Sequence, residues 1–118
     1  MTDLVILVSS GIGTTKHVEK VVDGMSWGRV FLIVPKGLSV PFTIPSNGES
    51  LFLDFSLPIQ EVIEVLAKEL KPKISGTEVG LNLISGDGKE HMAILSAVLK
   101  CGVGFRIVAL TREGVIEI

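Results

Sequence analysis

Two short stretches of the chain carry the residue types that bind phosphate. The first is Ser9-Ser10-Gly11-Ile12-Gly13-Thr14-Thr15, and the second is Ser85-Gly86-Asp87-Gly88-Lys89. Glycines let a backbone approach a ligand closely, hydroxyls offer neutral donors, and the N–H groups at a helix start favour an anion. The candidate contacts are therefore Ser9, Ser10, Gly11, Gly13 and Thr14 in the first loop, with Ser85, Gly86, Asp87, Gly88 and Lys89 in the second. A lysine in the first turn of a helix opposes the helix dipole, and a bound anion would rationalise it there. The plainer alternative is that both stretches are only tight strand-to-helix connections.

Each stretch follows an apolar run and precedes a helical pattern. Leu4–Val8 is continuously apolar, which suits a strand buried on both faces of a parallel sheet. Thr14 or Thr15 caps a helix whose Val18, Val21, Val22 and Met25 recur at helical spacing. Arg29–Val34 repeats the buried-strand pattern. Residues 36–48, with Pro41, Pro45, Gly37 and Gly48, show no period and read as a long loop. Leu51–Phe55 reads as a strand, and Ser56 as the cap of a helix ending at Lys71-Pro72. Val79–Ile84 is a strand and Lys89–Lys100 a helix, apolar nearly all round, with Gly102 at its C-terminal cap. Phe105–Leu110 and Val115–Ile118 form a hairpin through Thr111–Gly114. The order implies one three-layer α/β, Rossmann-like domain over residues 1–118, mainly parallel with an antiparallel last strand. Both candidate loops then follow strand ends, the place where open α/β sheets bind ligands.

The composition narrows the chemistry. Eleven Lys and Arg against thirteen Asp and Glu give a net charge of −2 over 118 residues. Long duplex nucleic acid calls for a basic excess, so any nucleic-acid ligand is expected to be small and locally held. A single cysteine, Cys101, excludes an internal disulfide, and His17 and His91 have no metal-ligand spacing. No metal or cofactor is expected. The runs Leu4–Val8 and Val30–Val34 span five residues each, far short of the roughly 20 that cross a bilayer. With no basic leader after Met1, a cytoplasmic protein is expected. Mean hydropathy of +0.56 suggests that some apolar surface meets a partner.

Two familiar phosphate-binding motifs fail on particular residues. The Ser10-Gly11-Ile12-Gly13 string resembles part of the short-chain dehydrogenase fingerprint, but Leu7 stands where its first Gly belongs and the chain has no Tyr. Gly88-Lys89 resembles a Walker A ending, but Glu90 replaces Ser/Thr and Leu83 replaces the first Gly.

The stretch Leu81-Asn82-Leu83-Ile84-Ser85-Gly86-Asp87-Gly88-Lys89-Glu90-His91-Met92 resembles the signature of CARF domains, the CRISPR-associated Rossmann-like domains. Their fourth strand runs into a Thr-Gly-Gly-Thr-Lys type turn and a helix. Ser85, Gly86 and Lys89 take the first Thr, first Gly and Lys positions, while Asp87 and Gly88 depart from the pattern. Ser9–Thr15 is similar to the family's second ligand motif. The loop at 36–48 departs again, replacing a helix.

The resemblance implies a homodimer that binds a cyclic oligoadenylate, the messenger of type III CRISPR defence, across its two-fold axis. It also implies two modes, sensing alone or metal-independent ring cleavage, in which Lys89 stabilises charge on the phosphate and Ser10 or Ser9 holds phosphate or ribose. The chain ends at Ile118 directly after the hairpin, so no fused effector is expected. The competing readings are a Rossmann-like module for an ordinary nucleotide or phosphate metabolite, and a structural subunit of a larger assembly. Of the remaining polar residues, His17 and His91 read as surface groups near the crevice mouth, Lys36 as a possible border of the ligand, and Arg112 as remote from it. Asn82 reads equally as a structural hydrogen-bonding group or a ligand contact. Cys101 and Trp27 read as core.

Overall fold

The structure is a computed structural model that describes residues 1–9 and 13–118. Six strands, β1 (Asp3–Leu7), β2 (Val30–Pro35), β3 (Gly48–Leu53), β4 (Glu78–Asn82), β5 (Gly104–Thr111) and β6 (Gly114–Glu117), form one sheet in the order β3-β2-β1-β4-β5-β6. The first five are parallel, and β6 returns antiparallel to β5. Three helices, α1 (Thr15–Asp23), α2 (Ile59–Leu70) and α3 (Gly88–Lys100), complete a Rossmann-like α/β domain.

The apolar strands have no hydrophobic alternation because both faces are covered. Val5, Leu7, Phe31, Ile33, Val79 and Leu81 face α2 and α3, while Leu4, Ile6, Val30, Leu32 and Val34 face α1. The 36–48 segment packs Val40 and Phe42 against the α1-side core, so a loop takes the place of a second helix there. Trp27 joins this core, donates through its indole N–H to the Val21 carbonyl at 2.9 Å, and lies over Gly80, where an added Cβ would come within 2.8 Å of the ring. Cys101 is buried at the end of α3, which pushes its thiol pKa up.

Three local expectations are corrected. Strand β3 begins at Gly48 and ends at Leu53, because parallel pairing with Val30–Pro35 recruits Gly48, Glu49 and Ser50 despite their low strand propensity. Ser56 does not cap α2; it donates its backbone N–H and hydroxyl to Asp54 Oδ1, at 3.0 and 2.6 Å, and Pro58 occupies the cap position. Met25 lies beyond the end of α1 and is exposed rather than part of its buried stripe.

Asp3 is fully buried at the start of β1. Its Oδ1 accepts the Arg29 N–H at 2.8 Å, and its Oδ2 accepts the Ser75 N–H at 3.0 Å, so one carboxylate ties together three distant backbone segments. Hydrogen bonds of this kind are what allow a charge to be buried.

Candidate functional site

The chain builds outward from β1 to β2 and β3, then returns to place β4 on the other side of β1. Strand order therefore reverses between β1 and β4, and the crevice beyond their carboxyl ends is the switch point at which such sheets bind ligands. Ser9 and Ser85, 76 residues apart, meet in it. The Ser9 N–H donates to Ser85 Oγ at 2.9 Å, and the Ser85 hydroxyl donates back to the Ser9 carbonyl at 3.1 Å. This pair continues the β1–β4 ladder through a side chain where the strands diverge.

Gly86 follows with φ at +93°, the left-handed region that favours glycine. Beside it lies the side chain of Glu90, a residue that sequence reading passed over. Glu90 is only 7% exposed. Its carboxylate accepts the Ser9 hydroxyl, with oxygens at 3.0 and 3.1 Å, and the Asp87 N–H at 3.0 Å, while Asp87 Oδ1 accepts the Glu90 N–H at 2.9 Å. Asp87 and Glu90 thus form a reciprocal capping box at the start of α3. The Asp87-x-x-Glu90 spacing was the signal available for it. The first turn of α3 is consequently furnished with two carboxylates of its own, and the crevice floor carries negative charge beside Ser9.

Gly88 is the first residue of α3, with nothing within 4 Å of an added Cβ, and Gly13 is equally open with φ at +88°. Thr14 holds the cap position of α1. Lys89 is exposed, and its ammonium donates to the Leu57 carbonyl at 2.8 Å, on the flank of α3 that faces α2. Ser10 and Gly11 lie outside the described residues. Among the described residues, no group of three His, Cys, Asp or Glu side chains could hold a metal ion. No helix there is long and apolar enough to cross a membrane.

The two histidines are not simple surface groups. His91 Nε2 donates to the Ser85 carbonyl at 2.7 Å, securing the turn from behind. His17 Nε2 accepts the Asn82 amide at 3.1 Å and the Leu110 N–H at 3.3 Å, joining α1 to β4 and β5. Asn82, 2% exposed, also donates to the Val108 carbonyl at 2.8 Å, so its structural reading stands. Burial pulls the His17 pKa below its ordinary value. Because the fold favours neutral imidazole, the stability it contributes is complete above the unfolded value of about 6.5 and is lost as pH falls towards the lower folded value. Urea midpoints measured from pH 7 to 5 are expected to fall less steeply in His17→Gln, whose carbonyl keeps an acceptor without titrating. An identical acid limb in the two proteins would show that His17 is not responsible.

A groove of about 600 Å³ lies elsewhere, lined by Val65, Ala67, Lys68, Lys71, Pro72 and Lys100 at the far ends of α2 and α3. It is separated from Lys89 by most of the length of α3, about 17 Å at 1.5 Å per residue.

Compared with known proteins, the chain matches no family model, no curated protein and no solved structure.

Proposed function

We propose that this chain binds a cyclic oligoadenylate across a homodimer, as a CARF-like sensor acting in the cytoplasm in type III CRISPR defence. The observation that carries the reading is the meeting of the two phosphate-type loops at the switch point, through the reciprocal Ser9–Ser85 hydrogen bonds. Gly86 and Gly88, with Gly13 and Thr14 at the start of α1, line the approach to the ring, and Lys89 supplies the cation. Ser9 and the buried Ser85, their hydroxyls engaged with Glu90 and the Ser9 backbone, hold the two loops together.

An apolar face suits the second copy. Lys89 and Lys100 lie on the α2 flank of α3, leaving Met92 and Leu99, 65% and 60% exposed, away from it. Beside α3 the β5–β6 hairpin presents Ile107, Ile116 and Ile118 on the same side of the sheet, since Phe105 faces the α3 core and pairing places Ile116 opposite Ala109. All three isoleucines are exposed. Exposed apolar side chains on one side of the sheet fit a two-fold contact that brings two crevices together.

Binding is favoured over cleavage. In cleavage the ribose 2′-hydroxyl attacks the adjacent phosphorus, a 2′,3′-cyclic phosphate forms, and the 5′-oxygen leaves with a proton. The protein would supply alignment and charge stabilisation. Here the Ser9 hydroxyl is committed to Glu90, whose carboxylate opposes charge building on phosphate. The same carboxylate favours the second reading, a structural subunit in which the capped turn serves folding alone.

Calorimetry with cyclic tetra- and hexa-adenylate, and chromatography of the products without metal, separates these readings. One ring per dimer is expected, and linear products would add a nuclease activity. Absence of binding at high micromolar ligand would overturn the messenger reading. Met92→Asp is expected to give a monomer in light scattering and to lose ring binding. A wild-type protein that is monomeric while binding the ring would overturn the dimer.

A further inference from the structure

Three elements bring charged groups together at the carboxyl edge of the sheet, beyond the Ser9–Ser85 crevice. Lys36 follows β2 at the second position of the turn Pro35-Lys36-Gly37-Leu38. That turn is closed by Leu38 N–H to the Pro35 carbonyl at 3.1 Å, with Gly37 at φ +92°. A glycine with positive φ at the third position is what a type II turn requires. The Lys36 N–H also donates to the Leu53 carbonyl at 2.7 Å, which fixes its backbone beside Asp54 at the end of β3. Asp54 is oriented in turn by the N–H and hydroxyl of Ser56. Lys89 of α3 reaches the same turn, donating to the carbonyl of Leu57, whose own N–H donates to the Asp54 carbonyl at 3.3 Å.

Neither lysine has a carboxylate within ion-pair distance among the described residues. Both act on Asp54 at longer range, adding to the stronger effect of the Ser56 hydrogen bonds that hold its carboxyl below the usual carboxylate range. The edge therefore carries two cations and one carboxylate on backbone positions pinned by hydrogen bonds. By contrast, Lys73 and Arg106 are consumed in ion pairs with Glu49 and Glu78.

We propose that Lys36 and Lys89 form a two-cation clamp for a second phosphate of the ligand, with Asp54 as the counter-ion that this phosphate displaces. The proposal rests on the reading of the crevice as a phosphate site and deepens it. The ligand class becomes one with at least two phosphates in succession, a phosphodiester chain or a polyphosphate, rather than a nucleoside monophosphate. A phosphate between two ammonium groups gains more than either lysine gains from a single shared carboxylate, since it carries more charge and more acceptor oxygens.

The test is titration of the wild type, Lys36→Ala, Lys89→Ala, Asp54→Asn and Lys68→Ala with two probes, inorganic tripolyphosphate and cyclic tetra-adenylate, at several salt concentrations. Each clamp lysine removed is expected to weaken binding about tenfold and to reduce the salt slope by about 0.7. Asp54→Asn is expected to tighten binding about threefold, and Lys68→Ala, at the far groove, to leave it unchanged. Unchanged affinity in Lys36→Ala, or an equal loss in Lys68→Ala, overturns the clamp. Should the ring bind but ignore Lys36, the messenger reading survives and the clamp falls. Should tripolyphosphate bind through Lys36 while the ring does not bind, the clamp survives and the messenger reading falls. Failure of both probes to bind the wild type overturns both.

Discussion

Gly86→Ala is expected to destabilise the domain by about 2–4 kcal/mol, the sum of a left-handed backbone penalty and forced overpacking. Gly86 has φ at +93°, and a Cβ built there stands 2.4 Å from Leu7 Cδ2 and 2.5 Å from Glu90 Oε1. Leu7 is fully buried, and Glu90 is held by Ser9 and Asp87, so neither neighbour can yield cheaply. For a chain of 118 residues each kcal/mol lowers the midpoint by about 4 °C, so thermal denaturation followed by circular dichroism is expected to shift by about 8–16 °C. Gly86→Val adds a branched side chain at the same point and is expected to lose more. Gly88→Ala supplies the contrast: its Cβ meets nothing within 4 Å, and alanine at the start of α3 is expected to be neutral or slightly stabilising. A Gly86→Ala melt within 2 °C of wild type, about the effect of half a kcal/mol, would contradict the geometry of the turn.

The second large effect is at Glu90 and separates folding from binding. Glu90→Ala leaves the Asp87 N–H and the Ser9 hydroxyl without their acceptor in a nearly buried site, at a cost of about 1.5–3 kcal/mol. Glu90→Gln keeps the shape and one carbonyl oxygen for the Asp87 N–H, so it is expected to hold most of that stability. It also removes a negative charge next to Ser9. If phosphate enters this crevice, the neutral variant is expected to bind tripolyphosphate or a cyclic oligoadenylate about tenfold more tightly, as a like charge a few ångströms away is worth about 1–2 kcal/mol at a partly wetted site. Unchanged affinity in a folded Glu90→Gln protein would move the phosphate away from Ser9. It would leave the capping box as a purely structural device.

Much of the architecture was legible locally. The uninterrupted apolar runs at Leu4–Val8 and Val30–Val34 identified strands covered on both faces, and the valines of α1 and leucines of α2 identified their buried stripes. Gly102, read as the C-terminal cap of α3, sits just past Cys101 with φ at +77°, the conformation such a residue adopts. The start of β3 was not legible, since Gly48, Glu49 and Ser50 become strand only through pairing with β2. The capping box lay in plain view as Asp87-x-x-Glu90, yet its burial against Ser9 depends on a contact across 81 residues.

By itself the sequence determined the elements, the two glycine loops after strands, and the absence of any basic surplus, because these depend on burial periodicity, backbone freedom and charge within a few residues of each position. Only the tertiary structure decided that strand order reverses between β1 and β4, that Ser9 pairs with Ser85, and that His17 bridges α1 to Asn82 and Leu110. It also decided that the Lys36 backbone is bonded to the end of β3 at Leu53 and that Lys89 reaches the Leu57 carbonyl of the turn after Asp54. Such contacts join segments tens of residues apart. Local preferences carry no information about them, and they are set by which faces of the sheet remain to be covered once the strands have paired.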